Sequence, residues 1–232
     1  MAIPLFALAA LAHAQSTTIQ WQGYTWFVKS TLSEGPGPCR WSPKQVWIDE
    51  QGFLHMRISK VDGHWCCAEI WTNKPLGFGS YQCQIEGPID VLDPNVVFSM
   101  FSYAGPDGIK ETDIEFARWG NPKAHNGNWT VYPNDTSGKI GQKTFDFKLR
   151  GTYTTSRYKW SSDGFRYELL GGHQPLGSET NLMQDWDYKP ANPEQYITQN
   201  PIPLHFNLWL FRGHPPTDNK PVEIIVHSFK KE

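Results

Sequence analysis

After its first residues the chain has no segment apolar enough to span a bilayer, no eleven-residue stretch with a convincing helical period, and neither internal repeats nor low-complexity tracts. A helical membrane protein, a helix bundle and a solenoid are thereby excluded. An excess of charge is also lacking: 21 Lys and Arg stand against 23 Asp and Glu, a formal net charge of −2 at pH 7. Nucleic acid and anionic membrane surfaces select for strong positive charge, so neither is expected as a partner. The eight His are scattered without metal-ligand spacing, and no catalytic metal or cofactor is expected. Cysteine is sparse, with four residues. Four allow three connectivities, and the vicinal Cys66 and Cys67 are poorly disposed to bond each other.

What is abundant is aromatic: 11 Trp, 9 Tyr and 13 Phe. Some must fill a core, but aromatic faces also stack on sugar rings, and eleven tryptophans exceed what a core of this size needs. The chain opens on "MAIPLFALAALAHAQ", an uncharged apolar run ending in the small-x-small pattern Ala12-His13-Ala14. It reads as a secretory signal cleaved after Ala14, although the usual N-terminal Lys or Arg is missing. As a membrane anchor it is roughly ten residues too short. Residues 1–14 are therefore expected to be a signal peptide and residues 15–232 a single domain, monomeric, secreted to the outside or the periplasm.

Period-two patterns recur along the mature chain. "KTFDFKLRG" puts Phe145, Phe147 and Leu149 on one face. "RYKWSSDGFRYELLGG" reads as a hairpin, with Tyr158 and Trp160 before the turn and Phe165, Tyr167 and Leu169 after it. "PVEIIVHSF" aligns Val222, Ile224 and Val226. Gly171 to Pro203, rich in Pro, Gly, Asn and Gln, reads as the longest irregular region. Many short strands separated by turn signals predict an all-β sandwich or barrel. "NWT" at Asn128 and "NDT" at Asn134 are glycosylation sequons in a eukaryotic source.

The segment "KETDIEFARWG" stands apart, because it sets Glu111, Asp113 and Glu115 at alternate positions. In a helix, positions 111 and 115 would repel as like charges four apart, with 113 on the far side. In a strand the three acids share one face, while Thr112, Ile114 and Phe116 point to the other. Turn signals on either side, "GPDG" and "WGNP", favour the strand. A solvated edge is the bland alternative, but three like charges on one strand face repel, and edges more often carry Lys. "PLHFNLWLF" also has two unlike faces: Leu204, Phe206, Leu208 and Leu210 suit a core, whereas His205, Asn207, Trp209 and Phe211 suit a carbohydrate cleft.

"ETDIEF" resembles the Glu-x-Asp-x-Glu strand of family 16 glycoside hydrolases, the group of lichenases, laminarinases and xyloglucan transglycosylases. Its companions are similar to that family in order. "CRWSPKQVWIDEQGFLHMRI", "CAEIWTNKPLGFGSYQCQI" and "FSMFSYAGP" precede it, and "YKWSSDGFRYELLGG" and "FNLWL" follow, covering roughly residues 38 to 229. The resemblance implies a β-jelly roll of two antiparallel sheets crossed by a concave substrate cleft. It implies Glu111 as nucleophile, Glu115 as general acid/base and Asp113 as the assisting carboxylate of a retaining endo-β-glycosidase acting on glucan-type polysaccharide. It further implies sugar contacts by Glu69, Tyr103, Tyr132, Asn207 and Trp209, and a Cys39–Cys67 disulfide.

Some relatives hold a structural calcium, for which the sequence gives no sign. Transglycosylation by the same residues is an alternative. So is carbohydrate binding without catalysis, against which retention of all three acids speaks. The chain departs from lichenases at Trp71, where they carry Arg, and at "SEGPGP" before Cys39, where they place aromatic and amide residues. It also lacks the extra Met of laminarinase-like catalytic strands.

Overall fold

Alternating apolar and polar residues bounded by turns build strands, and the computed structural model is nearly all strand. It describes residues 17–136 and 138–232, so the expected signal segment, residues 1–14, lies outside the described residues. In chain order the strands begin with β1 (Thr18–Trp21), β2 (Tyr24–Val28), β3 (Thr31–Glu34), β4 (Cys39–Trp41), β5 (Val46–Ile48) and β6 (Leu54–Val61). They continue with β7 (His64–Cys66), β8 (Ala68–Thr72), β9 (Gly79–Glu86), β10 (Val96–Tyr103), β11 (Glu111–Phe116) and β12 (Gly127–Val131). The last are β13 (Gly141–Phe145), β14 (Tyr153–Ser161), β15 (Gly164–Gly171), β16 (Leu182–Tyr188), β17 (Leu204–Leu210) and β18 (Val222–Lys231).

Two antiparallel sheets pack face to face. The first, hereafter the cleft sheet, has the order β1-β2-β8-β17-β10-β11-β12-β13, and the second β16-β15-β14-β9-β18-β6-β5, with β7 on β6. A separate hairpin pairs β3 with β4. Neighbours far apart in sequence, β8 with β17 and β9 with β18, are jelly-roll connections that a series of local hairpins does not make. The all-β jelly-roll sandwich expected from the sequence is the observed fold.

The core lies between the sheets. Trp26, Trp129 and Trp160 are fully buried there, so part of the aromatic surplus is structural; each contributes about 2 to 3 kcal/mol by leaving water. Thr112, Ile114 and Phe116 of β11 are buried on this side. The Thr112 hydroxyl meets the Tyr167 phenol, and Ser102 meets Tyr158 at 2.8 Å, so hydroxyls from facing sheets satisfy each other.

Two local expectations are corrected, while Val222, Ile224 and Val226 align toward the core as expected. The strand at "KTFDFKLRG" stops at Phe145, because the backbone amides of Phe147 and Leu149 are taken by the side chains of Asn126 and Asp90 instead of a ladder. Gly171 to Pro203 is not wholly irregular: it holds the half-exposed edge strand β16 and one helical turn, α1 (Pro193–Tyr196). In β18 the register shifts between Val226 and Ser228, which turns Phe229 into the core.

Candidate active site

Strand β11 lies inside the cleft sheet, between β10 and β12. Its acids face away from the core into a cleft of about 1070 Å³. Register across the sheet sets the partners of each. Glu115 stands opposite Ser99 on β10 and Asn128 on β12, and the row continues from Ser99 to Asn207 on β17 and Glu69 on β8. Asp113 stands opposite Phe101 and Thr130, in a row that runs on to His205 and Trp71. Glu111 is opposite Tyr103, and its carbonyl accepts from the Tyr132 amide at 2.9 Å.

Burial is the main electrostatic force here. It pushes Asp113 well above the usual carboxylate range, helped by the charges of Glu111 and Glu115 and by a hydrogen bond to Glu111. The same bond works in the opposite sense on Glu111, which burial, Glu115 and Asp107 nevertheless raise to about 8. Glu115 is raised to about 7 by burial, opposed by the Asn128 amide that donates to it at 2.8 Å. Three carboxyls so close bind protons collectively, and these values belong to the trio. The shared consequence is that the trio holds protons more firmly than free carboxyls do, with Glu111 the acceptor of the hydrogen bond from Asp113.

The structure brings the other expected residues to the same cleft, in differing states. Tyr103 lines it, its hydroxyl donating to Asp107 at 2.7 Å, and Tyr132 lines it beside Glu111. Asn207 is buried in the floor with its side-chain oxygen unpartnered. Both oxygens of Glu69 are engaged by the protein, Oε1 by His205 Nδ1 at 3.2 Å and Oε2 by Lys29 Nζ at 3.0 Å. Trp209 lines the cleft yet is only 7% exposed, packed beside Trp119 and Phe211.

Sequence reasoning missed Asn128, Ser99, Lys29, Trp119 and Asp107, all of which line the cleft. Asn128 was read as a sequon, but it is buried with its amide on Glu115 and is no surface acceptor. The signal for it is cross-strand register, which one sequence does not carry. Among the described residues, buried side-chain polar atoms without a partner include Ser99 Oγ, Asn128 Oδ1, His205 Nε2 and Asn207 Oδ1. All four belong to cleft residues, and unpaired buried polar atoms call for a polar ligand.

The expected Cys39–Cys67 disulfide is not formed in this structure. Both are buried free thiols in hydrogen-bonding contact, as Cys66 and Cys83 are free thiols elsewhere, so the expected pair is adjacent but unbonded. Among the described residues no group of three or more His, Cys, Asp or Glu could hold a metal ion, and no helix is long and apolar enough to cross a membrane.

No family model matches the sequence, and no curated protein matches it. Solved structures do. The β-glucanase of Bacillus licheniformis aligns with a TM-score of 0.64 at 19% identity, over 89% of this chain and 91% of that one. A β-1,3-glucanase from Mycobacterium marinum aligns with a TM-score of 0.66 at 18% identity, over 89% and 90%. A family 16 glycoside hydrolase of Bacteroides ovatus, in complex with a product written G4G4G3G, aligns with a TM-score of 0.65 at 12% identity, over 89% and 94%. At such identities the likeness is one of fold, and it is the fold that the family 16 resemblance implies.

Proposed function

We propose that this chain is a secreted retaining endo-β-glycosidase that cleaves a β-linked, glucan-type polysaccharide by double displacement. The observation that carries the reading is the gathering of Glu111, Asp113 and Glu115 on the cleft face of one strand, with every pKa raised. Such chemistry needs one carboxyl ionised and another protonated at the same pH; in the free protein Glu111 holds its proton at least as firmly as Glu115, and the hydrogen bond from Asp113 is the contact that favours its ionised form.

In the first step the Glu111 carboxylate attacks the anomeric carbon while Glu115 passes its proton to the departing glycosidic oxygen. In the second, Glu115 takes a proton from water, the water oxygen bonds to the anomeric carbon, and Glu111 leaves as carboxylate. Asp113 assists by keeping a proton aimed at Glu111, which favours the ionised nucleophile. The unpartnered atoms of Ser99, Asn128 and Asn207 suit the hydroxyls of a sugar chain lying across the strands. The solved neighbours that are glucanases support the same substrate class.

Product analysis tests the reading. Mixed-linkage glucan, laminarin, xyloglucan and galactan are incubated with and without acceptor oligosaccharides, and the first-formed anomer is read by NMR. Retained β products from at least one β-glucan are expected. Inverted products would remove the mechanism, and no cleavage of any member of the panel would remove the function. Elongated acceptors would turn the reading toward transglycosylation.

A further inference from the structure

We propose that the β3–β4 hairpin, clamped to the cleft sheet by Lys29, is a fixed wall that ends the sugar-binding cleft on its β2–β8 side. It thereby limits how long a stretch of polysaccharide is held on that side of the acids. The inference rests on the reading of the cleft as a glycan site and adds to it the element that sets chain length.

The hairpin belongs to neither large sheet. Thr31, Glu34, Gly35 and Pro36 nevertheless line the cleft, together with Lys29 just after β2. The Lys29 ammonium ties the two together: it donates to the Gly35 carbonyl at 2.5 Å and to Glu69 Oε2 at 3.0 Å, and lies 4.4 Å from the centre of the Trp41 ring. Its side chain is only 11% exposed, and that of Glu69 only 6%. A buried ion pair gives way reluctantly, because separating it leaves an uncompensated charge. Trp41 Nε1 donates to the Glu34 carbonyl at 2.8 Å, closing the hairpin on itself.

The far end of the hairpin is fixed independently. At Gly37, where φ is +67°, a Cβ would stand 3.3 Å from Trp209 Cζ3 and 3.4 Å from the Leu210 carbonyl. Only glycine combines that left-handed backbone with so close an approach. Cys39 Sγ contacts the same Leu210 carbonyl at 3.3 Å. Pro36 and Pro38 on either side of Gly37 narrow the freedom of the tip. The hairpin thus covers Trp209, and its tether occupies Glu69. Two side chains otherwise fit to meet sugar are given over to holding the wall. The hairpin reaches from β8, three strand spacings from β11, to β17, two spacings away, so the wall stands roughly 10 to 14 Å from the acids, room for only a few sugar rings.

The test measures affinity for a length series of β-1,4- and β-1,3-linked gluco-oligosaccharides by calorimetry, with Glu111→Gln in every protein to prevent cleavage. Four forms are compared: the otherwise unaltered protein, Lys29→Met, Lys29→Arg, and a variant whose Gly35–Pro38 is replaced by Asn-Gly. The last removes the tip without touching the ion pair, and serves if Lys29→Met does not fold. Hydrogen exchange over residues 31–41 reports the state of the hairpin.

Affinity in the unaltered form should stop rising once the oligosaccharide reaches the wall. Both hairpin variants should gain on the order of tenfold for the next longer oligosaccharide, with faster exchange in Lys29→Met and unaltered behaviour in Lys29→Arg. An unchanged length dependence in variants whose hairpin exchanges faster or is shortened would overturn the inference while leaving the glycosidase reading intact. Unchanged exchange in Lys29→Met would overturn the clamp. Failure of every oligosaccharide to bind any form would overturn both readings together.

Discussion

At the residue scale, the proposed mechanism makes the roles of Glu111 and Glu115 separable, because it has them act on opposite faces of one carbon. In Glu111→Ala the face vacated by the nucleophile admits a small anion, so added azide should restore turnover and give the α-glycosyl azide. In Glu115→Ala the nucleophile remains and azide enters in the second step, giving the β-glycosyl azide. Near-wild-type hydrolysis by both variants would mean that the acids are a solvated face. Asn128 can be tested by its effect on Glu115. Its amide favours the charged carboxyl, so Asn128→Leu should raise the Glu115 pKa and move the alkaline limb of the pH profile to higher pH. The lost hydrogen bond is worth about 1 kcal/mol, or roughly fivefold in kcat/KM. A rate loss with an unmoved limb would assign Asn128 to the scaffold instead.

At the element scale, β4 and the short link between β7 and β8 meet at Cys39 and Cys67, whose thiols are in contact in the core. In an oxidising compartment that pair should close, adding about 3 to 4 kcal/mol by the chain-entropy estimate. Peptide mapping under non-reducing conditions should find Cys39 joined to Cys67, with the melting temperature falling on reduction. Cys39 joined to Cys83 would contradict the observed packing, since Cys83 is buried in β9 against the Ser156 carbonyl. The elements also explain what could be read in advance. The acids of β11 and the β14–β15 hairpin were legible because alternation and a two-residue turn are local signals. Lys29, Asn128 and His205 were not given their roles, because each meets its partner across a strand boundary. Lys29 and His205 each need Glu69 from β8, and Asn128 needs Glu115 from β11. Likewise the strand end at Phe145 depends on Asn126 and Asp90, which no alternation in residues 143–151 announces.

At the scale of the whole molecule, the cleft acids act on folding stability. Glu115 rises from an ordinary 4.5 to about 7 and Glu111 from 4.5 to about 8, so over this range the folded protein binds more protons than the unfolded chain. The sign follows. Below pH 4.5 both states are protonated and the contribution is fully present; it is lost progressively as pH climbs from there through the folded values of about 7 and 8, above which the cleft carries the charges that the unfolded chain carries freely. Taken singly, such displacements correspond to about 3 to 5 kcal/mol, and coupling within the trio keeps the contributions from adding in full. A protein of this size should therefore lose roughly 5 to 10 °C of melting temperature between pH 5 and pH 8. His55 adds a loss of the same sign: burial lowers its pKa, but hydrogen bonds to Asp49 and Glu223 outweigh burial and raise it. Glu111→Gln separates the two sources, since it removes one charge from the cleft and leaves His55 untouched. The variant should melt several degrees above wild type at pH 8, and little differently at pH 5, where the cleft is already protonated. Melting curves of wild type and Glu111→Gln that stay parallel from pH 5 to pH 8 would mean that the trio ionises without cost. The coupled protonation on which the double-displacement reading leans would then be lost with it.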